Sequence, residues 1–451
     1  MCRRNLAGVM GQVALVAVLA TAWPAVAQEP ILTADRWTRT ALEFMEALRS
    51  GETGRASALV VPELAAGPMS PDALAAIWDR LTAQMGPLHT LAPHRLSEQG
   101  EYRLVELTGR FERQEFVILV SIDGDGRVAG FRLLPAAETP YEMPPYADTT
   151  TFVEREVTVG REPWVLPGTL ALPRGAGPHP AVVLVHGSGP NDRDQTIGPN
   201  RPFRDLAWGL ASRGVAVLRY EKRTRALGHL VDPLTITVDG EVIDDAVAAL
   251  ALLRTTDGID PDRVFVLGHS LGATVAPLIA QRDAQLAGAI LLAPMARPFA
   301  QVIREQLEYL RSLHHSDDPD DPNLAAMAEI LDSLAELEAG LLPDTARVLG
   351  GPVAYIRDLD ARQVVDVARR TPVPHLILQG ERDYQVTMED FALWRDALAD
   401  RHDVTFRSYP DLDHLFMAGT GPSTPQEVMG GQRKVAQQVV DDVARWITSR
   451  R

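Results

Sequence analysis

Cysteine is almost missing from this chain of 451 residues, and its absence excludes several kinds of chemistry. The single cysteine, Cys2, lies before an apolar stretch near the start, and no other cysteine follows it. Disulfide bonds, a thiolate nucleophile and cysteine metal sites are therefore excluded for the rest of the chain.

An excess of positive charge is also lacking. The chain has 44 Lys and Arg residues against 60 Asp and Glu residues, which gives a formal net charge of −16. An acidic surface argues against nucleic acid and against an anionic membrane as partners. With 46% apolar and 23% charged residues, the composition is that of a globular protein, and the length predicts two domains.

Residues 1–27 have the pattern of a secretory signal peptide. The basic pair Arg3-Arg4 precedes the mostly apolar run Leu6–Trp23, and Ala25-Val26-Ala27 offers a small-x-small cleavage site. A membrane anchor fits less well, because a glutamine interrupts the run and a proline follows it. We therefore expect an exported protein, periplasmic or secreted, with no integral membrane segment after cleavage. Loss of the two arginines moves the formal charge from −16 to −18.

Residues 32–140 predict a small α+β domain, with helices first and an antiparallel meander afterwards. The helices are predicted from Thr33 and over Ser70–Gln84, the strands at Tyr102–Leu107, Phe116–Ile122 and Val128–Leu134, and the turns at Gly109-Arg110 and Asp123–Gly126. Asp123 and Asp125 resemble the start of a calcium loop, but no glutamate follows at the twelfth position, which favours a hairpin turn. The layout resembles the NTF2-like domain of unknown function, and four prolines within 135–146 indicate a linker.

Residues 150–451 alternate strands with helices, which predicts an α/β fold with a mainly parallel eight-stranded sheet. The strands are predicted at Phe152–Val159, Val165–Leu172, Ala181–Val185, Val215–Tyr220, Val264–Leu267, Ala289–Leu292, His375–Leu378 and Val404–Tyr409. Helices are predicted between them, for example at Glu241–Leu253 and Gln432–Ser449. Because ligands of open α/β sheets bind at the carboxyl ends of the strands, the candidate functional residues are those that directly follow a strand.

One such residue, Ser270, lies in a motif that joins a buried strand to a helix. The strand Val264–Leu267 runs into Gly268-His269-Ser270-Leu271-Gly272, and an apolar helical segment follows at once. Strand, G-x-S-x-G turn and helix in this order predict a nucleophile elbow, in which a strained turn exposes the serine hydroxyl. The alternative is a glycine-rich turn with only a structural role.

Three further strands are followed by residues that complete a catalytic set. After the third strand, the glycine-rich turn at 186–190 offers the backbone N–H of Ser188, and Leu271 offers a second N–H for an oxyanion hole. A simple strand-to-loop turn is the alternative there. Asp383 follows the seventh strand and His414 follows the last. The chain order Ser270, Asp383, His414 is the order of a serine hydrolase triad on an α/β fold.

The predicted roles follow from proton chemistry. Ser270 is a poor nucleophile without a general base, which His414 supplies, and Asp383 orients the imidazole. Glu381 and Asp413 are rival acids. His186 and His269 are rival bases, which we expect to support the loop and the elbow instead.

The segment 297–372 separates the sixth and seventh strands by far more than one helix requires. Two apolar stripes predict helices, and we interpret the insertion as a helical lid over Ser270 that sets substrate size. Between the stripes, His314 to Pro322 mixes histidine and aspartate with two prolines, which favours an exposed loop over a metal site. We expect no metal and no cofactor. Pocket-lining roles for Tyr309, Tyr355 and Tyr384 are hypotheses.

Five segments together resemble the exported bacterial serine α/β-hydrolases, which are similar to dienelactone-hydrolase-like and prolyl-oligopeptidase-like enzymes. The segments are His186-Gly-Ser-Gly-Pro-Asn-Asp-Arg-Asp, Leu218-Arg-Tyr-Glu-Lys-Arg, Gly268-His-Ser-Leu-Gly, Leu378-Gln-Gly-Glu-Arg-Asp-Tyr-Gln-Val and Asp413-His-Leu-Phe. The resemblance covers residues 150–451 and implies an α/β-hydrolase fold, a Ser270/Asp383/His414 triad and hydrolysis of a small-molecule carboxylic ester without a cofactor. Glu221 departs from the aspartate common in relatives, and we interpret it as a loop-stabilising acid.

Two other classes of function are alternatives for a chain with these residues. A serine peptidase or aminopeptidase has the same triad, but no propeller-like repeat is seen in the sequence. A non-catalytic binding scaffold is the second alternative, and a complete triad argues against it. These residues do not distinguish hydrolysis from acyl transfer, and they define neither the natural substrate nor the oligomeric state.

Overall fold

A computed structural model of the chain describes residues 35–99, 102–112, 115–135, 141–232, 234–314 and 321–450. The predicted signal peptide and most of the loop after His314 lie outside these ranges. The described chain divides into two compact units between Tyr141 and Glu142. No helix within the described ranges is long and apolar enough to cross a bilayer.

The first unit packs helices on a four-stranded antiparallel sheet. Its elements are α1 (Arg36–Arg49), α2 (Thr53–Ala58), α3 (Pro62–Ala65), α4 (Pro71–Met85), β1 (Leu88–Gln99), β2 (Tyr102–Phe111), β3 (Glu115–Ile122) and β4 (Val128–Pro135), with the strands in sequence order. Helix α1 buries Phe44, Met45 and Leu48 against the sheet residues Leu107 and Ile118. The predicted small α+β domain is confirmed as a fold.

Two expectations for this unit were wrong. The first strand, β1, was not predicted, because it mixes polar with apolar residues and has a register shift between Pro93 and Arg95. Gly109 and Arg110 do not form a turn but pair within β2, Gly109 opposite Phe116. A Cβ on Gly109 would lie 2.6 Å from the Ile118 side chain, so glycine is required there for packing and not for a turn. At 123–126 the hairpin turn is present.

The second unit contains an eight-stranded, mostly parallel sheet, as predicted. Its strands are β5 (Phe152–Arg161), β6 (Trp164–Pro173), β7 (His179–Val185), β8 (Ala216–Tyr220), β9 (Ile259–His269), β10 (Gly288–Leu292), β11 (His375–Gly380) and β12 (Val404–Tyr409). Their order across the sheet is β12-β11-β10-β9-β7-β8-β6-β5. The pairs β5–β6 and β6–β8 are antiparallel, and the other neighbouring strands of this sheet pair in parallel. The central strands are buried along most of their length and read as continuous apolar runs, as parallel strands covered on both faces do.

The second unit also contains the helices that connect its strands. They are α5 (Pro202–Ala211), α6 (Arg223–Ala226), α7 (Asp244–Arg254), α8 (Leu271–Arg282), α9 (Phe299–Leu313), α10 (Pro322–Glu338), α11 (Val353–Ala361), α12 (Val364–Arg370), α13 (Met388–Ala397), α14 (Pro425–Met429) and α15 (Gln437–Thr448). A π-helical turn, Asp239–Ile243, precedes α7. The last helix begins five residues later than predicted, because Val435 is held in an extended segment by Asp205 and by a bridge to Met417.

The insertion between β10 and β11 is helical, and its middle has a core of its own. Side chains of α9, α10 and α11 pack together around Leu307, Leu334 and Ile356. Helix α12 differs, because Val364, Val367 and Ala368 belong to the main core of the sheet. Val302 of α9 and Leu359 of α11 also belong to the main core, so only part of Phe299–Ala361 has a core of its own. The predicted lid at 297–372 stays a prediction.

The last residue of the predicted linker, Tyr146, is held by hydrogen bonds to the second unit. The Tyr146 hydroxyl donates to the Val435 carbonyl at 2.7 Å, and Arg213 donates to the Tyr146 carbonyl at 3.2 Å. These contacts fix Tyr146 within the second unit.

Gly380 lets the strand β11 approach the loop that carries His414. A Cβ at this position would lie 2.5 Å from the Leu412 carbonyl oxygen and 2.6 Å from that of Asp413. We therefore expect Gly380→Ala to lower the free energy of unfolding by about 1–3 kcal/mol, the usual cost of overpacking. Urea unfolding followed by near-ultraviolet circular dichroism measures this.

Gly431→Ala is the matched control, because no atom lies within 4 Å of a Cβ built there. Its effect on stability is expected to stay within about 0.5 kcal/mol. Equal unfolding midpoints for the two variants would contradict the close approach of β11 and the His414 loop.

Candidate active site

Ser270 lies between β9 and α8 with a backbone conformation that side chains rarely adopt. Its φ is 54° and its ψ is −116°, and its N–H donates to the Leu292 carbonyl at 2.9 Å. The flanking glycines allow this turn. A Cβ on Gly268 would lie 2.2 Å from the Gly272 carbonyl carbon, and one on Gly272 would lie 2.2 Å from the Val185 carbonyl oxygen. The local geometry is that of a strained strand-to-helix turn with serine at its tip.

Asp383 and His414 are brought together at the same edge of the sheet. His414 Nδ1 lies 2.6 Å from Asp383 Oδ2, and the Asp383 side chain is fully buried. The other carboxylate oxygen, Oδ1, accepts from the N–H groups of Gln385 at 2.7 Å and Val386 at 3.0 Å. Because Nδ1 is engaged by the carboxylate, Nε2 is the ring nitrogen left for a proton transfer.

The rival acids are engaged elsewhere. Glu381 accepts a hydrogen bond from the Ser408 hydroxyl at 2.7 Å. Asp413 accepts from the N–H groups of Leu415 and Met417 and pairs with Arg433 at 2.6 Å. Asp413 thus stabilises the loop of its neighbour His414 without contacting the imidazole.

The loop after β7 passes close to the nucleophile. A Cβ on Gly187 would lie 3.3 Å from Ser270 Cβ, so Gly187 borders the serine. Leu271 is the first residue of α8, where an α-helix leaves its N–H without an intrahelical acceptor. Among the described residues, no hydrogen-bond acceptor takes the N–H of Ser188 or of Leu271. The oxyanion hole predicted at these two amides stays a prediction.

Gln195 and His269 connect this loop with the His414 loop. The Gly187 N–H donates to Gln195 Oε1 at 2.8 Å, which orients the amide so that Nε2 donates to His269 Nδ1 at 2.7 Å. His269 Nε2 then carries the ring proton and donates it to the His414 carbonyl at 2.8 Å. Burial lowers the pKa of His269 to about 3, so the ring is neutral at neutral pH and both its nitrogens are occupied.

His186 is buried in an aromatic setting under the same loop. Its ring lies 5.2 Å from that of Phe203 and 5.3 Å from that of Tyr220, between centroids. Burial, together with the nearby charge of Lys222, lowers the pKa of His186 to about 3. Neither His186 nor His269 has the carboxylate partner that His414 has.

Helix α9 of the insertion contacts the loop that carries Asp383. The Tyr309 ring stacks on Tyr384 at 4.9 Å, and Gln306 Nε2 donates to the Gln385 carbonyl at 2.7 Å. The third tyrosine, Tyr355, makes a different contact: its hydroxyl donates to Glu241 at 2.6 Å. The acid Glu221 pairs with Arg193 of the loop after β7 at 2.8 Å, as expected of a loop-stabilising residue.

The described ranges contain no group of three or more His, Cys, Asp or Glu side chains placed to hold a metal ion. Within the segment considered for a metal, His314 pairs with Asp321 at 2.8 Å. Residues 315–320 lie outside the described ranges.

Comparison with known protein families gives one match in each of the two units. The model of the α/β-hydrolase family matches residues 182–429, and a domain described only as a protein of unknown function (DUF3887) matches residues 41–131. The chain therefore belongs to the α/β-hydrolase family.

One curated relative matches most of the chain. Esterase EstD of Thermotoga maritima is 42% identical over 379 residues, which cover 84% of this chain and 88% of that protein. Among solved structures, Est1E from Butyrivibrio proteoclasticus is 16% identical over 65% of this chain and 99% of its own, with a TM-score of 0.43. A puromycin-hydrolysing peptidase of Mycobacterium tuberculosis is 20% identical over 81% of this chain and 48% of its own, with a TM-score of 0.44.

Sequence reasoning missed two polar residues at this site, Gln195 and Lys222. Lys222 lies within a segment that was singled out for its resemblance, Gln195 directly follows another, and neither belongs to a motif with a known spacing. Gln195 is nevertheless buried, with a φ of 49°. Lys222 is also buried, and each of the two side chains makes a hydrogen bond with the backbone of Gly187. A lysine two residues after a buried strand was the one signal in the sequence.

Gln195→Glu tests the hydrogen-bond chain through His269. The new carboxylate still accepts from Gly187, but it cannot donate to His269 Nδ1. His269 then needs protons on both nitrogens, so its pKa is expected to rise from about 3 toward the ordinary value of 6.5. Imidazole nitrogen shifts recorded by NMR across a pH titration measure this.

The exposed Gln285→Glu serves as the charge-matched control and is expected to leave His269 neutral down to about pH 4. If His269 in the Gln195→Glu protein also stays neutral through that range, the amide does not set its tautomer.

Proposed function

We propose that the chain is a serine esterase that hydrolyses carboxylic esters through an acyl-enzyme on Ser270. The esterase class follows from the 42% identity to EstD over most of both chains. The observation that supports the serine mechanism is the 2.6 Å contact between Asp383 and His414 at the sheet edge that also carries the Ser270 turn. The alternative, a serine peptidase of the same fold, is not favoured by any contact among the described residues.

In the proposed first step, Ser270 Oγ attacks the ester carbonyl carbon while His414 Nε2 takes the hydroxyl proton. Asp383 keeps the imidazole in the tautomer with its proton on Nδ1 and stabilises the imidazolium. The tetrahedral intermediate then expels the alcohol, which leaves with the proton from His414. Water repeats the sequence on the acyl-enzyme and releases the carboxylic acid.

The negative oxygen of each tetrahedral intermediate is assigned to the N–H groups of Ser188 and Leu271. Such fixed donors act without reorganising during the reaction, and each contributes about 3–4 kcal/mol to barrier lowering. Because Leu271 begins α8, the partial positive charge of the helix N-terminus acts in the same direction.

We infer that the insertion selects the acyl group. Its helix α9 is attached to the Asp383 loop through the Tyr309–Tyr384 stack and the Gln306 hydrogen bond. A substrate bound between Ser270 and this helix would have its size limited by the apolar side chains of the insertion.

Hydrolysis of nitrophenyl esters of increasing acyl length tests the proposed reaction. Turnover of short to medium esters is expected, and Ser270→Ala is expected to reduce kcat by about 10⁶-fold. Phosphonate labelling followed by peptide mapping is expected to find the label on Ser270. Intact turnover in Ser270→Ala, or a label elsewhere, would refute the mechanism.

Asp383→Asn and Glu381→Gln form a matched pair of acid variants. Loss of the Asp383 charge is expected to lower kcat by about 10⁴-fold. Glu381, which contacts Ser408, is expected to be replaceable without loss of activity. Peptide nitroanilides assayed in parallel separate the classes, since faster cleavage of anilides than of esters would identify a peptidase.

We also propose that the protein is exported after cleavage behind Ala27, on the pattern of residues 1–27. N-terminal sequencing of the protein from the periplasmic or culture fraction of a bacterial host is expected to begin at Gln28. Ala27→Arg is expected to block processing. A protein that keeps Met1 and remains in the cytoplasm would refute export.

A further inference from the structure

A buried lysine lies behind the loop that carries Ser188. The Lys222 side chain is 3% exposed, its Nζ donates to the Gly187 carbonyl at 2.9 Å, and it pairs with Glu241 at 3.1 Å. Burying an ammonium group is costly unless it is paired and hydrogen-bonded, and both conditions are met here. The proposed reaction assigns no role to Lys222.

The Gly187 carbonyl determines where the Ser188 N–H points. The two groups belong to one planar trans peptide unit, so they point in opposite directions. Lys222 holds the carbonyl oxygen from one side, and Asn191 Nδ2 donates to it at 3.1 Å. The preceding N–H, that of Gly187, is held by Gln195 at 2.8 Å. The backbone of Gly187 is therefore restrained by side chains at its N–H and at its carbonyl.

Glu241 extends the same connection into the insertion. Its second carboxylate oxygen accepts from the Tyr355 hydroxyl at 2.6 Å, and Tyr355 lies on α11. Burial and the charge of Glu241 raise the pKa of Tyr355, so the phenol keeps its proton and donates. One continuous chain of polar contacts thus runs from Tyr355 through Glu241 and Lys222 to Gly187.

We propose that Lys222 is a positioning residue that orients the oxyanion donor Ser188, and that Tyr355 and Glu241 connect the insertion to it. The inference rests on the proposed function, because it requires Ser188 to bind the oxyanion. It adds a second role for the insertion. Contacts between an acyl group and α11 would change the orientation of the Ser188 N–H, and therefore the rate of the chemical step as well as substrate fit.

Lys222→Met tests the first part, because methionine keeps an unbranched side chain of similar length and removes the donor. A lower kcat by about 10- to 100-fold is expected, less than or equal to the loss of a whole oxyanion donor, with KM changed by no more than about 3-fold. The inhibition constant of a trifluoromethyl ketone, whose serine adduct carries an oxyanion, is expected to rise by the factor by which kcat/KM falls.

Lys434→Met is the matched control, since Lys434 is the other lysine of the chain and lies in the segment before α15. Its kcat and inhibition constant are expected to stay at the wild-type values. An unchanged kcat for Lys222→Met, or a change confined to KM, would overturn the assignment.

Two further variants test the same connection, and Asn191→Leu keeps the test valid should Lys222→Met not fold. Asn191→Leu removes the second donor to the same carbonyl, together with the contacts of that amide with the Ser188 and Gly189 carbonyls, and it is expected to give the same split between kcat and KM. Tyr355→Phe is expected to lower kcat by about 3-fold in the wild type. In a double-mutant cycle with Lys222→Met, it is expected to add nothing. A wild-type kcat in Asn191→Leu would refute the role of the Gly187 carbonyl. Additive effects of Tyr355→Phe and Lys222→Met on kcat would refute the connection from Tyr355 to Lys222.

Ser270→Ala separates this inference from the mechanism on which it rests. Loss of activity in Ser270→Ala, together with wild-type kinetics in Lys222→Met, would refute the role of Lys222 alone. Retained activity in Ser270→Ala would refute both.

Discussion

The strained backbone of Ser270 is the constraint on which the rest of this site depends. A φ of 54° costs a residue other than glycine about 1–3 kcal/mol and persists only where the surroundings enforce it. Here β9 and the almost wholly buried α8 meet at Gly268 and Gly272, neither of which has room for a Cβ. The direction of the serine hydroxyl is therefore determined by the packing of sheet and helix, and the other groups are arranged around it.

Those other groups are held mainly through their backbones. Asp383 is oriented by two N–H groups of its own loop, the His414 carbonyl accepts from His269, and both ends of Gly187 are bound by side chains. Fixing a loop by its peptide groups leaves the side chains that face the substrate free of structural hydrogen bonds. Buried and fully paired, these contacts are also stronger than the same bonds in water.

The candidate site residues could be predicted from the sequence where they lie next to a recognisable strand or turn in the chain. An apolar strand, its turn and the next helix adjoin in the chain, so Ser270 was predictable, and Asp383 and His414 follow their strands within a few residues. Gln195 and His269 are 74 residues apart, and Lys222 and Gly187 are 35 apart, so no local pattern relates them. The strand β1 was missed for another reason, because its polar residues and register shift hide the alternation expected of a half-buried strand.

Burial also explains why similar side chains at this edge have different chemistry. His186 and His269 have pKa values lowered to about 3, and such weak bases take up little of a proton from serine at neutral pH. His414 alone among the three lies against a carboxylate, and its Nε2 is left for the proton transfer that we propose. The acids divide in the same way, since Asp413 is neutralised by Arg433 while Asp383 faces the imidazole. From the sequence alone, His269 was a candidate for the base and Asp413 a candidate for the acid, because each adjoins a predicted site residue. In the structure their hydrogen-bond and ion-pair partners give both residues the role of holding loops.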